Sequence, residues 1–370
     1  MRCTNLHRKY SPASLPLDFR RSSCTKSNFS MKERFCVNSP LCIHETPRSM
    51  ISSPVLKWGV AETMGPRETM EDAWFVKENL KAGILYASIF DGHGGSSSAL
   101  FLKRKLFDML KIKMKRQSNN IPFMKSEITI SEIAQVLSPQ SLQDIFRLTD
   151  SALIDHIATL GDPECWSGST ATICFIDEHK IVCANVGDSS AVIGRKGKPI
   201  SLTEEHRPTP RTKSGRNEIE RIAMAGGWVT QERVCGILAV SRAFGDYEFK
   251  GGRSELLEEF RYDGNVQATT STLHAPPVVA LPHVHELNRS TDDEFIIIAT
   301  DGIWDVMNGS QAVTFVCSKL KSNPMLSMTE VADALVQRAL RNRSQDNIAC
   351  IVIDLLSLIH ISEPTRPSTI

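Results

Sequence analysis

Short apolar and β-branched runs punctuate the chain at 84–90 (ILYASIF), 171–176 (ATICFI), 180–185 (KIVCAN), 191–194, 295–300 (FIIIAT) and 347–354 (NIACIVID). Runs this short, several of them closed by Gly or Asp, predict buried strands. Between them, apolar residues recur at three- and four-residue spacing and predict helices over 98–115, 141–160, 217–225, 309–320 and 329–341. Strands that arrive as hairpins, with helices between groups of them, predict α+β layers rather than a doubly wound sheet. The 98–115 helix carries many Lys and Arg beside Leu, Phe and Met. A helix that packs on the core and solvates its basic face is favoured over one lying on an anionic membrane.

This patterning covers 56–355 and fails at both ends. Residues 1–55 are rich in Ser, Arg and Lys, and their first 50 positions hold only three acids, Asp18, Glu33 and Glu45. That composition, without a continuous apolar stretch, predicts a disordered leader with the character of an organelle transit peptide. A plain disordered tail is the alternative. After Asp354 the pattern breaks again, and 357–368 (SLIHISEPTRPS) reads like translated adapter DNA joined to a truncated frame. An unstructured tail over 356–370 is expected; on the adapter reading the natural C-terminus is missing, and a genuine disordered tail is the alternative.

Lys+Arg (43) and Asp+Glu (42) nearly balance, so charge gives no reason to expect a nucleic-acid partner. No apolar run reaches the length of about 18 residues that a membrane span needs. Ten cysteines are scattered without a CxxC pair, which argues against structural zinc. Cys174, Cys183 and Cys350 lie inside apolar runs, and reduced, buried thiols are expected, as in the cytosol or an organelle stroma. His283 and His285 (HVH) have the spacing of a metal pair on a strand, but an exposed loop is the favoured reading.

The chemistry is concentrated in acids at strand ends. Arg67-Glu68-Thr69-Met70-Glu71-Asp72 sets a guanidinium near two adjacent carboxylates. Asp91 closes an apolar run and opens a glycine turn, Asp91-Gly92-His93-Gly94-Gly95. Asp301 and Asp305 repeat that arrangement after FIIIAT, Asp346 immediately precedes NIACIVID, and Asp188 closes Asn185-Val186-Gly187. Hard divalent cations such as Mg²⁺ and Mn²⁺ take carboxylate, carbonyl and water oxygens. Strands ending together can aim several carboxylates at one point, where bound cations relieve their repulsion. A nearby Arg offers a planar fork of donors suited to phosphate. A lone strand-end Asp-Gly is more often a turn; the ordered set is far more specific.

The series RETMED, FDGHGG, SGSTAT, NVGDSSAV, EEHRP, LAVSRAFGD, ATDGIWDVM and SQDNIACIVI resembles the type 2C protein phosphatases, the PPM family, over about 58–354. The resemblance implies a four-layer α/β/β/α sandwich of two antiparallel sheets flanked by helices. It also implies two Mn²⁺ or Mg²⁺ ions per subunit, with a weaker third site. Asp91 would bridge two cations and the Gly92 carbonyl would add a ligand. Asp301 and Asp346 would hold one cation and Glu71 would reach the other, with Asp72 as an acidic support. Asp188 and Asp305 would join Asp301 at the third position. Arg67 would grip the phosphate and His93 would act as general acid. The implied partner is a phosphoprotein, hydrolysed at phosphoserine or phosphothreonine by a monomeric enzyme. A non-catalytic pseudophosphatase and a metal-dependent nucleotidase are the alternatives from other classes. The flap-like stretch 205–234 and the insert 251–275 resemble the chloroplast thylakoid-associated branch, which acts on light-harvesting antenna proteins. A cytosolic or nuclear signalling phosphatase is the alternative within the family.

Overall fold

The computed structural model describes residues 56–80, 83–117, 136–160 and 164–356. The expected transit-like leader (1–55) and the tail after 356 lie outside the described residues. Ten strands build the two main sheets: β1 Trp58–Thr63, β2 Ala73–Leu80, β3 Ile84–Phe90, β4 Ala171–Ile176, β5 Lys180–Val186, β6 Ser190–Arg195, β7 Lys198–Ser201, β8 His283–Asn288, β9 Asp293–Ala299 and β10 Ile348–Asp354. One sheet has the order β1-β10-β9-β6-β7 and the other β8-β5-β4-β3-β2. Every pairing within them is antiparallel. The β6–β7 hairpin turns on Lys196 and Gly197, both at positive φ, which suits a tight two-residue turn to the twist of its strands.

The sheets stack face to face, and each outer face is covered by helices. On β3, Leu85, Ala87 and Ile89 point into the core between the sheets, while Ile84, Tyr86 and Phe90 point outward. Helices α1 (Ser97–Gln117) and α2 (Pro139–Ile157) bury Leu102, Leu106, Leu142 and Phe146 against that outer face. On β10 the alternation repeats: Ala349, Ile351 and Ile353 face the partner sheet, and Ile348, Cys350 and Val352 face the opposite helices. Both faces of these strands are dry, which is why they read as unbroken apolar runs. The predicted four-layer α/β/β/α sandwich is the observed fold.

The longer remaining helices are α3 (Lys213–Met224), α4 (Arg253–Tyr262), α5 (Gly309–Ser322) and α6 (Met328–Arg341). Helices α5 and α6 cover the first sheet, and each begins with a reciprocal capping box, Asn308 with Gln311 and Ser327 with Glu330. None of the described helices is long and apolar enough to cross a membrane.

Two expectations need correction. The HVH stretch is strand β8, paired to β5 with His283 opposite Asn185 and His285 opposite Cys183. Its half-buried, polar residues alternate at a sheet edge, so no apolar run announced it. Cys174 and Cys183, directly opposed on β4 and β5 with Cα atoms 4.3 Å apart, are joined as a disulfide rather than reduced. Cys350 is a buried free thiol, as expected, and Cys235 is another.

Candidate metal centre and active site

The two sheets release their acids at a common end. Strand β3 stops at Phe90 and hands Asp91 to the edge; β9 stops at Ala299, and Asp301 opens a single helical turn, Asp301–Trp304. Strand β5 delivers Asp188 through Gly187, and Asp346 stands just ahead of β10. One carboxylate oxygen from each of Asp91, Asp188 and Asp301 lies within 4.8 Å of the other two. Burial, then repulsion from Asp301, Asp72, Asp188 and Asp346, pushes the Asp91 pKa well above the usual range. Burial and the charges of Asp188 and Asp305 do the same to Asp301. Asp72, buried behind them, is pushed up to about 8, mainly by burial, although it accepts a 2.8 Å hydrogen bond from the Thr300 hydroxyl. Carboxylates forced together at this cost form the hard-oxygen donor set that a divalent cation neutralises. These residues fit the cations that the sequence led us to expect.

The loop carrying Arg67 and Glu71 is clamped by Asn347. Its Oδ1 accepts from the Glu71 amide at 2.8 Å, and its Nδ2 donates to the Met64 and Thr69 carbonyls, each at 2.9 Å. Glu71 accepts from the Thr69 hydroxyl and the Gly95 amide. A Cβ at Gly92 would collide with the Glu71 carbonyl, so glycine lets these two segments touch.

Two guanidinium groups sit on the acids. Arg67 donates to Asp346 Oδ2 at 2.6 Å and to the Gln345 carbonyl at 3.0 Å. Arg207 pairs with Asp188 (2.6 Å), Asp301 (2.7 Å) and Asp305 (2.9 Å) through its three separate nitrogens. Arg207 had entered the sequence reading only as part of EEHRP, and nothing local to that run marks its three partners.

His93 lies beside this cluster with Nε2 2.8 Å from Asp246 Oδ1, and the Asp246 side chain is fully buried. Burial lowers the imidazole pKa, but the Asp246 charge and hydrogen bond outweigh it and the net shift is upward. Asp246 adopts φ 49°, a left-handed conformation that Asp tolerates better than most residues. A Cβ at Gly168 would collide with both His93 Nε2 and Asp246 Oδ1. Asp246 is a second partner that the sequence reading missed; it is 153 positions from His93.

Helix α3 lies in the stretch read as the flap. Glu218 on α3 accepts from Arg221, Arg242 and Ser241, and although burial opposes it, these donors lower its pKa to about 2. His206 is buried between this network and the site, with neither ring nitrogen hydrogen-bonded among the described residues.

Known proteins place the chain in a family. The family profile described as Protein phosphatase 2C matches residues 56–348. Protein phosphatase 2C 57 of Arabidopsis thaliana is 33% identical over 314 residues, spanning 84% of this chain and 78% of that protein. Probable protein phosphatase 2C 21 of Oryza sativa subsp. japonica is 30% identical over 312 residues, 80% of this chain and 83% of that one. Serine-threonine phosphatase 2C from Toxoplasma gondii superposes with a TM-score of 0.58 at 20% identity, over 85% of this chain and 99% of the other, a likeness of fold alone. The chain belongs to the protein phosphatase 2C family of metal-dependent serine/threonine phosphatases.

Proposed function

We propose that this chain hydrolyses phosphoserine and phosphothreonine esters of proteins, with Asp91, Asp301, Asp346, Glu71 and the Gly92 carbonyl holding two divalent cations. Asp188 and Asp305 would add a third position with Asp301, and Asp72 would support the set from behind. The convergence of Asp91, Asp188 and Asp301 within 4.8 Å carries this reading. Divalent cations held by these residues would supply charge neutralisation and would lower the pKa of a bound water toward roughly 7. Arg67, at the rim on Asp346, offers its fork to the equatorial phosphate oxygens. His93, held by Asp246, gives a proton to the departing seryl or threonyl oxygen, a poor leaving group on its own.

Activity on a phosphothreonine peptide, with and without Mn²⁺, tests this in the wild type and in Asp301→Asn. Metal-dependent turnover that collapses in the variant is expected; turnover independent of metal, or unchanged by the substitution, overturns the mechanism. The finer reading is an enzyme of the chloroplast acting on thylakoid antenna phosphoproteins. It is supported by the flap and insert resemblance and by the acid-poor, Ser- and Arg-rich first 50 residues. A reporter fused to residues 1–60 that stays in the cytosol would remove the support for chloroplast location.

A further inference from the structure

Arg207 sits in an acidic groove lined by Ser190, Thr203, Glu205, Asp305 and Asn308. Its guanidinium spends its three nitrogens on three different carboxylates, Asp188 Oδ2, Asp301 Oδ2 and Asp305 Oδ1. A planar fork usually meets one carboxylate with two parallel bonds. Here it is divided among three acids from two segments, Asp188 after β5 and Asp301 with Asp305 on one helical turn, which leaves each acid one short, charge-assisted contact. Those are the same three residues that the family resemblance assigns to the weaker third cation. One oxygen set therefore has two cationic claimants, one fixed to the chain and one from solution. A fourth acid stands within reach: Glu205 Oε1 is 3.6 Å from Arg207 Nε, beyond hydrogen-bond distance but in the same groove.

We infer that Arg207 is a built-in counterion that competes with the third divalent cation for Asp188, Asp301 and Asp305, and that Glu205 receives the guanidinium when a cation displaces it. This rests on the proposed reading of these carboxylates as a cation site. The physical case is electrostatic. Three acids with one guanidinium carry a net local charge that still attracts a dication, but entry requires all three contacts to be exchanged. Without Arg207 the acids face each other uncompensated, and a cation gains the whole of their attraction. Without the Glu205 charge, the displaced guanidinium has no carboxylate in the groove to move to, and displacement becomes harder. The two substitutions therefore have opposite signs, which a merely structural role for either side chain would not produce.

Isothermal titration of Mn²⁺ into the full chain reads the weakest class of sites directly and needs no turnover. Arg207→Gln should tighten that class by about tenfold or more. Glu205→Gln should weaken it several-fold, and the tighter class, which shares only Asp301 with Arg207, should move less than the weak class in either variant. An unchanged or weakened third affinity in Arg207→Gln overturns the inference. If Arg207→Gln does not fold, as judged by circular dichroism, Arg207→Lys replaces it. A lysine ammonium cannot span three acids as the fork does, so a smaller tightening is expected and none is the refuting result. Absence of any Mn²⁺ binding by the wild type would bring down the cation-site reading itself. Binding that ignores Arg207 brings down only the competition.

Discussion

Replacing Asp246 by Asn keeps the shape of the side chain and an oxygen that can accept from His93, and removes only the charge. The His93 Nε2 to Asp246 Oδ1 contact is 2.8 Å, with the carboxylate wholly buried. Charges centred about 4 Å apart attract by about 4 kcal/mol at an effective dielectric near 20. Burial of the imidazolium offsets part of that, so a net loss of about 2–3 kcal/mol in the stability of protonated His93 is a reasonable scale. At 1.4 kcal/mol per decade, this corresponds to about 30- to 150-fold in the proton-donating form. It falls within the range of about 10²–10⁴ that general acids contribute. The assay compares two leaving groups. Turnover of a phosphothreonine peptide should drop about a hundredfold, because an alkoxide needs the proton. Turnover of p-nitrophenyl phosphate should be nearly unchanged, because nitrophenolate departs without one. Equal losses on both substrates would mean that Asp246 shapes the site rather than tuning a donor. No loss on either would mean that the contact has no part in proton transfer.

Two further outcomes follow from buried polar groups. Asn347→Ala removes three hydrogen bonds that clamp the Arg67–Glu71 loop, and should cost about 2–4 kcal/mol in urea unfolding as well as weaken Mn²⁺ binding; an unaltered midpoint would refute the clamp. His206 has its pKa lowered to about 3, by burial and then by the nearby Arg242 charge, from an ordinary 6.5. The unfolded chain therefore takes up a proton below pH 6.5 that the folded chain refuses, and stability falls as pH drops from 6.5 toward 3. Carboxylate contributions are common to wild type and His206→Leu and cancel in the comparison. The variant should gain about 3 kcal/mol relative to wild type between pH 7 and pH 4.5, and parallel stability curves over that interval would refute the assignment.

Much of this molecule was legible before folding. Helices α5 and α6 lie within two residues of the spans expected from apolar spacing. Asp91, Asp188, Asp301 and Asp346 were marked by their places at the ends of apolar runs. A strand dry on both faces must be apolar throughout, and the first polar residue after it must be at an edge, so both features are written in neighbouring positions. Elements with weaker local signals escaped. Strand β8 is polar and half-exposed, and α4 lies in a stretch read only as an insert.

Pairing over long distances was decided by the tertiary structure. Asp246 meets His93 from 153 positions away, and Asn347 reaches Thr69 across 278. Arg207 finds three acids from two sheets, and Cys174 meets Cys183 only because the β4–β5 register sets them opposite each other. The sequence by itself determined which residues of the strongly patterned elements are strand, helix and edge, because those preferences act through neighbours one to four positions apart. Which edge residues share a site depends on how two twisted sheets stack and where their ends coincide. That is fixed by burying the core between them, not by any local run of residues.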